Sequence, residues 1–112
     1  MINKELLSEV LGLHVVGFYE HVSSEHIGYN WDESCGLENP IIISSDICVY
    51  ELMHRMKEWA LDKGFQINSC IGWCSVFFND TFEPYLIQHQ DNTEFEAVVY
   101  ACQWIYDEQC SN

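Results

Sequence analysis

The sequence predicts an α+β domain: an antiparallel sheet with helices packed on it as an α-β-α sandwich. Three observations carry that class. Apolar residues recur at helical spacing in three stretches, each bounded by capping residues. Runs rich in β-branched and aromatic residues lie between them. At 112 residues, with 48% hydrophobic and 14% aromatic content, the chain has the size and the apolar material of one folded domain, 1–112.

Asn3 precedes Lys4-Glu5-Leu6-Leu7-Ser8-Glu9-Val10-Leu11, in which Leu6, Leu7, Val10 and Leu11 fall on one helical face, and Gly12 supplies the stop. His14 to His21 holds Val15, Val16, Phe18 and Tyr19 and reads as a strand. Residues 22–45 are broken by Gly28, Gly36 and Pro40, with short strands expected at Tyr29–Trp31 and Ile41–Ile43. Ser45-Asp46 then reads as an N-cap with an acidic first turn, and Gly64 as the matching C-cap. Between them Val49, Leu52, Met53, Met56 and Ala60 form an apolar stripe. On the other face Arg55 stands between Glu51 and Glu58 at helical contact spacing, so its charge is answered within the helix.

Phe65–Ser69 and Trp73–Phe78 read as a hairpin closed through Cys70-Ile71-Gly72, and Tyr85-Leu86-Ile87 as a further strand. The last helix opens at Asp91-Asn92-Thr93, where Thr93 with Glu96 and Asp91 with Glu94 both have capping-box spacing. Phe95, Val98, Val99, Cys102, Ile105 and Tyr106 give it an apolar face.

Charge is the least ordinary property of the chain. Four Lys and Arg face eighteen Asp and Glu, for a formal net charge of −14. No base occurs between Lys4 and Arg55 or after Lys63, and those two gaps hold sixteen of the carboxylates. A phosphate backbone draws its binding from Lys and Arg, so direct nucleic-acid binding is disfavoured, as is an anionic membrane. A basic protein, above all one that itself grips nucleic acid, is the partner such a surface attracts. The aromatic content separates this chain from disordered acidic tails. No apolar run reaches spanning length and Met1-Ile2-Asn3-Lys4-Glu5 lacks the shape of a signal peptide, so a cytosolic location with reduced cysteines is expected.

The order of elements and several short motifs resemble the small phage and prophage proteins of the ABA-sandwich type. The resemblance lies in Ile2-Asn3-Lys4-Glu5-Leu6-Leu7, in Leu11-Gly12-Leu13, and in Pro40 followed by Ser45-Asp46 ahead of Met53, Met56 and Trp59. It continues in Gly72-Trp73 and in Asp91-Asn92-Thr93-Glu94-Phe95-Glu96-Ala97 with Ala101. Leu13 stands where that family has Trp, and one extra residue separates Asp91 from Thr93. The resemblance implies an α-β-α arrangement and a phage or prophage origin, and it carries over no catalytic residue.

Chemistry-bearing patterns are sparse. Cys70 and Cys74 form one zinc-like pair without a second knuckle, and Cys35, Cys48, Cys102 and Cys110 are scattered. His14, His21, His26, His54 and His89 offer acid–base candidates, but no nucleophile elbow, phosphate loop or dinucleotide turn accompanies them. None of the acidic groups has the alternation of a calcium loop. The expectation is therefore a non-enzymatic protein without cofactor that binds a basic host protein, such as a nucleic-acid-binding nuclease complex. Its specific form is a counter-defence inhibitor of anti-CRISPR or anti-restriction type that mimics a polyanion. The residues expected to meet the partner are Asp32, Glu33, Glu38, Asp80, Glu83, Asp91, Glu94, Glu96, Asp107 and Glu108, with Trp104 as an aromatic anchor. Two alternatives stay open. One is a small-molecule or zinc-binding module or enzyme built on Cys70 and Cys74. The other is a homo-oligomeric phage accessory protein, for instance a homodimer paired through residues 14–21.

Overall fold

The computed structural model describes residues 2–20, 24–34, 38–78 and 85–110. Its contacts gather into two compact units, Ile2–Leu52 and Met53–Asn112. The class is α+β, as expected, but the strands fall into two antiparallel three-stranded sheets where the sequence suggested one. Among the described residues no helix is long and apolar enough to cross a membrane.

The first unit begins with helix α1, Lys4–Leu11. Asn3 Oδ1 accepts the Leu6 N–H at 2.8 Å, and the N–H of Gly12, in the left-handed region at φ 68°, returns to the Ser8 carbonyl. The strands β1 (Val15–Tyr19), β2 (His26–Asp32) and β3 (Ile42–Cys48) follow in spatial order β1-β2-β3. Ser8 Oγ, accepting the Val15 N–H at 3.1 Å, ties the helix to the first strand. One sheet face buries Val15, Ile27, Tyr29 and Ile47, and on it Trp31 Nε1 donates to Ser45 Oγ at 3.1 Å.

The expected cap at Ser45-Asp46 is not one. These residues pair with Tyr29 and Gly28, inside a β2–β3 ladder that runs unbroken from Asp32↔Ile42 to His26↔Cys48. Helix α2, Val49–Asp62, starts directly where that ladder ends. Non-local pairing overrides a local cap signal because the strand as a whole gains a continuous ladder to β2.

The second unit contains α2 from Met53 onward, then β4 (Phe65–Cys70), β5 (Trp73–Phe78), β6 (Ile87–Gln90) and α3 (Glu94–Cys110), with strand order β4-β5-β6. The third strand thus begins where the sequence reading expected it to end. The hairpin turns on Ile71-Gly72, Gly72 at φ 79°. The sheet face bearing Phe65, Ser69, Cys74 and His89 meets α3, whose Ala97, Val98, Ala101, Cys102 and Ile105 are buried. From the other side Met56 of α2 reaches α3, its carbonyl 3.7 Å from Cys102 Sγ.

Gly28 in β2 is a point of close approach. The Tyr19 ring lies over it from the neighbouring strand, and a Cβ there would stand 2.5 Å from Tyr19 Cε2. Gly28→Ala should cost about 1–3 kcal/mol through displacement of that ring. Gly17→Ala, with nothing within 4 Å of its Cβ position, should be close to neutral. Urea unfolding of the two variants beside the wild type makes the comparison.

Candidate functional site

The carboxylates expected to form one recognition patch divide by structural role. Asp32 is not at the surface at all: 4% exposed, it closes the connection between β2 and β3. Its Oδ1 accepts from Ser34 N at 2.9 Å, Ser34 Oγ at 2.6 Å and Ile41 N at 2.9 Å, and Oδ2 lies 3.9 Å from His14 Nδ1. An ionised carboxylate buried this way is held by its donors. That corrects its assignment to partner binding. Glu33 and Glu38, in the same connection, are exposed. Asp80 and Glu83 lie outside the described residues, as do His21, Cys35 and Phe82.

Asp91, Glu94 and Glu96 are only half-exposed, each engaged within the second unit. Glu94 Oε2 accepts from Ser69 Oγ at 2.7 Å and stands 3.9 Å from Lys57 Nζ. Asp91 Oδ2 lies 3.0 Å from His89 Nε2, and Asp91 Oδ1 accepts the Asn92 N–H at 2.8 Å. The His89 ring stacks on Tyr100 of α3, centroids 3.6 Å apart and planes within 6°. Glu96 is the further neighbour that bears on Asp91, and each carboxyl shifts the other's ionisation. The Asn92 N–H, together with His89 and Glu96, holds Asp91 below its ordinary pKa; the bond to Asp91 and desolvation hold Glu96 above its own. Thr93 Oγ1 completes the helix start by accepting the Glu96 N–H at 3.1 Å.

No family model, no curated protein and no solved structure matches this chain. Function must be argued from the geometry.

That geometry assembles a Cys-His-Asp sequence in space, since Cys74 is the cross-strand partner of His89. It is not a nucleophilic centre. Cys74 is fully buried under α3 with Sγ 3.1 Å from the Ala97 carbonyl, and burial pushes its thiol up to about 11. Burial raises the Cys102 thiol in the same direction. Ser75 Oγ is buried with no hydrogen-bond partner, so it lacks the base that a serine nucleophile requires.

The zinc-like pair also separates. Cys70 is paired with Trp73, one position before Cys74, so by strand alternation the two thiols leave opposite faces of the hairpin. Cys70 is exposed and Cys74 buried. Among the described residues no group of three or more His, Cys, Asp and Glu could hold a metal ion. Trp104 is half-buried and packs edge-on to Phe65 at 6.0 Å, which makes it part of the α3–sheet contact and not a freely projecting anchor.

What remains exposed has a pattern. Asp107 and Glu108 sit in the last turn of α3, Glu9 in that of α1 and Asp62 in that of α2, and no helix has a base in its last turn. Lys63 follows just outside α2. Helix C-termini favour cations, so carboxylates there each cost about 0.3–1 kcal/mol. The α3 group is also far from the Asp91–Glu96 pair, since thirteen residues of helix from Glu94 to Asp107 span roughly 20 Å. Within the second unit the expected residues are thus spread along the length of α3.

Two variants test these roles. Asp32→Ala strands the Ser34 and Ile41 N–H groups and should lower unfolding stability by at least about 2 kcal/mol, read by urea titration. For the carboxyl pair the sign follows from the two shifts. The contribution of Glu96 is complete below its unfolded pKa and lost as pH rises through its raised folded value. That of Asp91 is complete above its unfolded pKa and lost as pH falls through its lowered one. As pH rises from the ordinary glutamate pKa through the raised one, stability should therefore fall more steeply in the wild type than in Glu96→Gln, whose amide does not titrate.

Proposed function

We propose that this chain is a non-catalytic protein that binds a cationic surface of another protein, of the kind that otherwise holds nucleic acid. The observation that carries the reading is the set of carboxylates at the helix C-termini, where the fold itself disfavours them. Stability alone would place Lys or Arg at those positions; a requirement for negative charge accounts for their absence. The net charge of −14 extends the same requirement over the whole chain. Glu9, Asp62, Asp107 and Glu108 are held on helices, and Glu33 and Glu38 on the connection from β2 to β3.

The resemblance to phage ABA-sandwich proteins supports a specific form: a counter-defence inhibitor of anti-CRISPR or anti-restriction type acting inside a bacterial host. In that form Glu33, Glu38, Asp107 and Glu108 occupy positions meant for phosphates, and steering by the negative field makes association fast and salt-sensitive.

Calorimetric titration against a purified CRISPR effector and a purified restriction enzyme, at low and at physiological salt, tests the reading. Binding should weaken with salt, and Asp107→Lys/Glu108→Lys should bind about tenfold more weakly while its α3 gains about 0.3–1 kcal/mol per charge. No heat of binding to either at low salt would sink the counter-defence form. Unchanged affinity in the double variant would remove the C-terminal charges from the contact.

A further inference from the structure

We propose that β3 is a strand-addition site, its outer edge receiving an extended, Lys- or Arg-bearing segment of the partner protein. The inference rests on the function proposed above and names how that partner is held. The first sheet ends in two edges, β1 and β3. β1 is five residues long, and its pairing is interrupted by a bulge between Val15 and Gly17. β3 is seven residues long and regular throughout. Its ladder is continued at one end by Glu33 N–H to the Ile41 carbonyl (2.8 Å) and at the other by Val49 N–H to the Glu25 carbonyl (2.8 Å).

Edges of this length are ordinarily guarded by lysine, proline or a bulge, because their unpaired backbone groups template further strands. Ile42-Ile43-Ser44-Ser45-Asp46-Ile47-Cys48 has none of these. Its exposed side chains, Ile42, Ser44 and Asp46, alternate along one face. Ile41 and Ile42 are 54% and 52% exposed, and Tyr50 just beyond the strand 61%. Strand addition uses this combination: main-chain bonds for affinity, and alternate side chains for specificity.

Charge selects the occupant. In Ile2–Leu52 the only Lys or Arg is Lys4, against nine carboxylates, and Asp46 lies on β3 itself with Glu33 and Glu38 at one end and Glu51 near the other. A second copy would set this edge against its own charges, at a cost that like-charge juxtaposition imposes across any interface. A basic strand meets the same groups with attraction. The apolar side chains then supply contact area that polyanion mimicry alone does not need, which separates this edge from the helix termini.

The probe is a short, fluorescently labelled peptide of alternating lysine and threonine. Its control has the same sequence with every backbone nitrogen methylated, with equal charge and side chains but without the N–H groups a ladder needs. By fluorescence anisotropy at low salt the wild-type protein should bind the first at least about tenfold more tightly than the second. Ser44→Pro and Asp46→Lys should each shrink that gap to about twofold or less. Ile42→Lys, which guards the edge without touching the backbone, serves should the proline variant lose its circular dichroism spectrum. Equal affinity for both peptides overturns the strand-addition site and leaves the acidic-surface reading standing. Binding of neither peptide overturns both. A gap that persists in Asp46→Lys and Ile42→Lys removes β3 as the site. Wild-type dimers in light scattering that these variants abolish would identify the occupant as a second copy and overturn the basic partner.

Discussion

Close approach of α3 to β5 is the contact on which the second unit depends. The Cys74 thiol meets the Ala97 carbonyl at 3.1 Å, a separation that small residues on the helix permit, and Ala97 and Ala101 are both fully buried. Once the helix is seated there, its flanking side chains have fixed neighbours on the sheet: Glu94 on Ser69, Tyr100 on His89, Trp104 on Phe65. Cys102, one turn on from Val98, meets α2 at the Met56 carbonyl. A larger residue at position 97 would lift the helix and loosen all these contacts together.

Apolar packing has to carry the fold because ion pairing contributes so little. With four bases against eighteen acids, most carboxylates have no lysine or arginine to meet. The Lys57–Glu94 pair, 3.9 Å apart and partly exposed, is worth about 0–1 kcal/mol. The structure instead places its internal acids on hydrogen-bond donors of other kinds. Asp32 takes two backbone N–H groups and a hydroxyl; Asp91 takes an imidazole and a backbone N–H. These donors add no positive charge to the surface, with histidine the one conditional exception. The fold thus keeps its internal acids satisfied without diluting its external field.

Features fixed by near neighbours were readable in the sequence. Asn3 and Gly12 bound α1 because each cap acts on a residue three or four positions away. The β4–β5 hairpin was equally plain, since its turn needs the positive φ of Gly72 and aromatic and β-branched residues flank it on either side. Features that depend on distant partners were not. Ser45-Asp46 has the local chemistry of a cap, and only the seven-residue pairing with β2 makes it strand. Asp32 resembles any acidic surface residue until Ile41, nine positions later, is seen to donate to it. Asp91 and Glu96 were grouped in the sequence as surface charge and His89 was noticed apart from them; what brings His89 to Asp91 is the turn from β6 into α3, with the Tyr100 ring stacked on the imidazole. Division of the strands into two sheets was invisible for the same reason, because periodicity reports which face of a strand is apolar but not which strand lies beside it.

The acids therefore belong to two populations with opposite energetics. Asp32, Asp91, Glu94 and Glu96 answer donors and would destabilise the chain if removed. Glu9, Asp62, Asp107 and Glu108 stand at negative helix ends, which disfavour their charge even where a side chain donates to it, as Gln103 Nε2 does to Asp107 at 2.9 Å. Helix starts and an exposed strand site carry acids as well, Glu5, Glu51 and Asp46 among them, so the charge at the helix ends is added at positions of greater cost. Retaining charge where it is unfavourable is the pattern expected when a surface is shaped by what it meets. The unguarded β3 edge fits the same logic, because leaving seven regular strand residues without lysine, proline or bulge exposes the chain to unwanted pairing. A dense negative field on the same unit keeps other copies away from that edge while leaving it open to a basic strand.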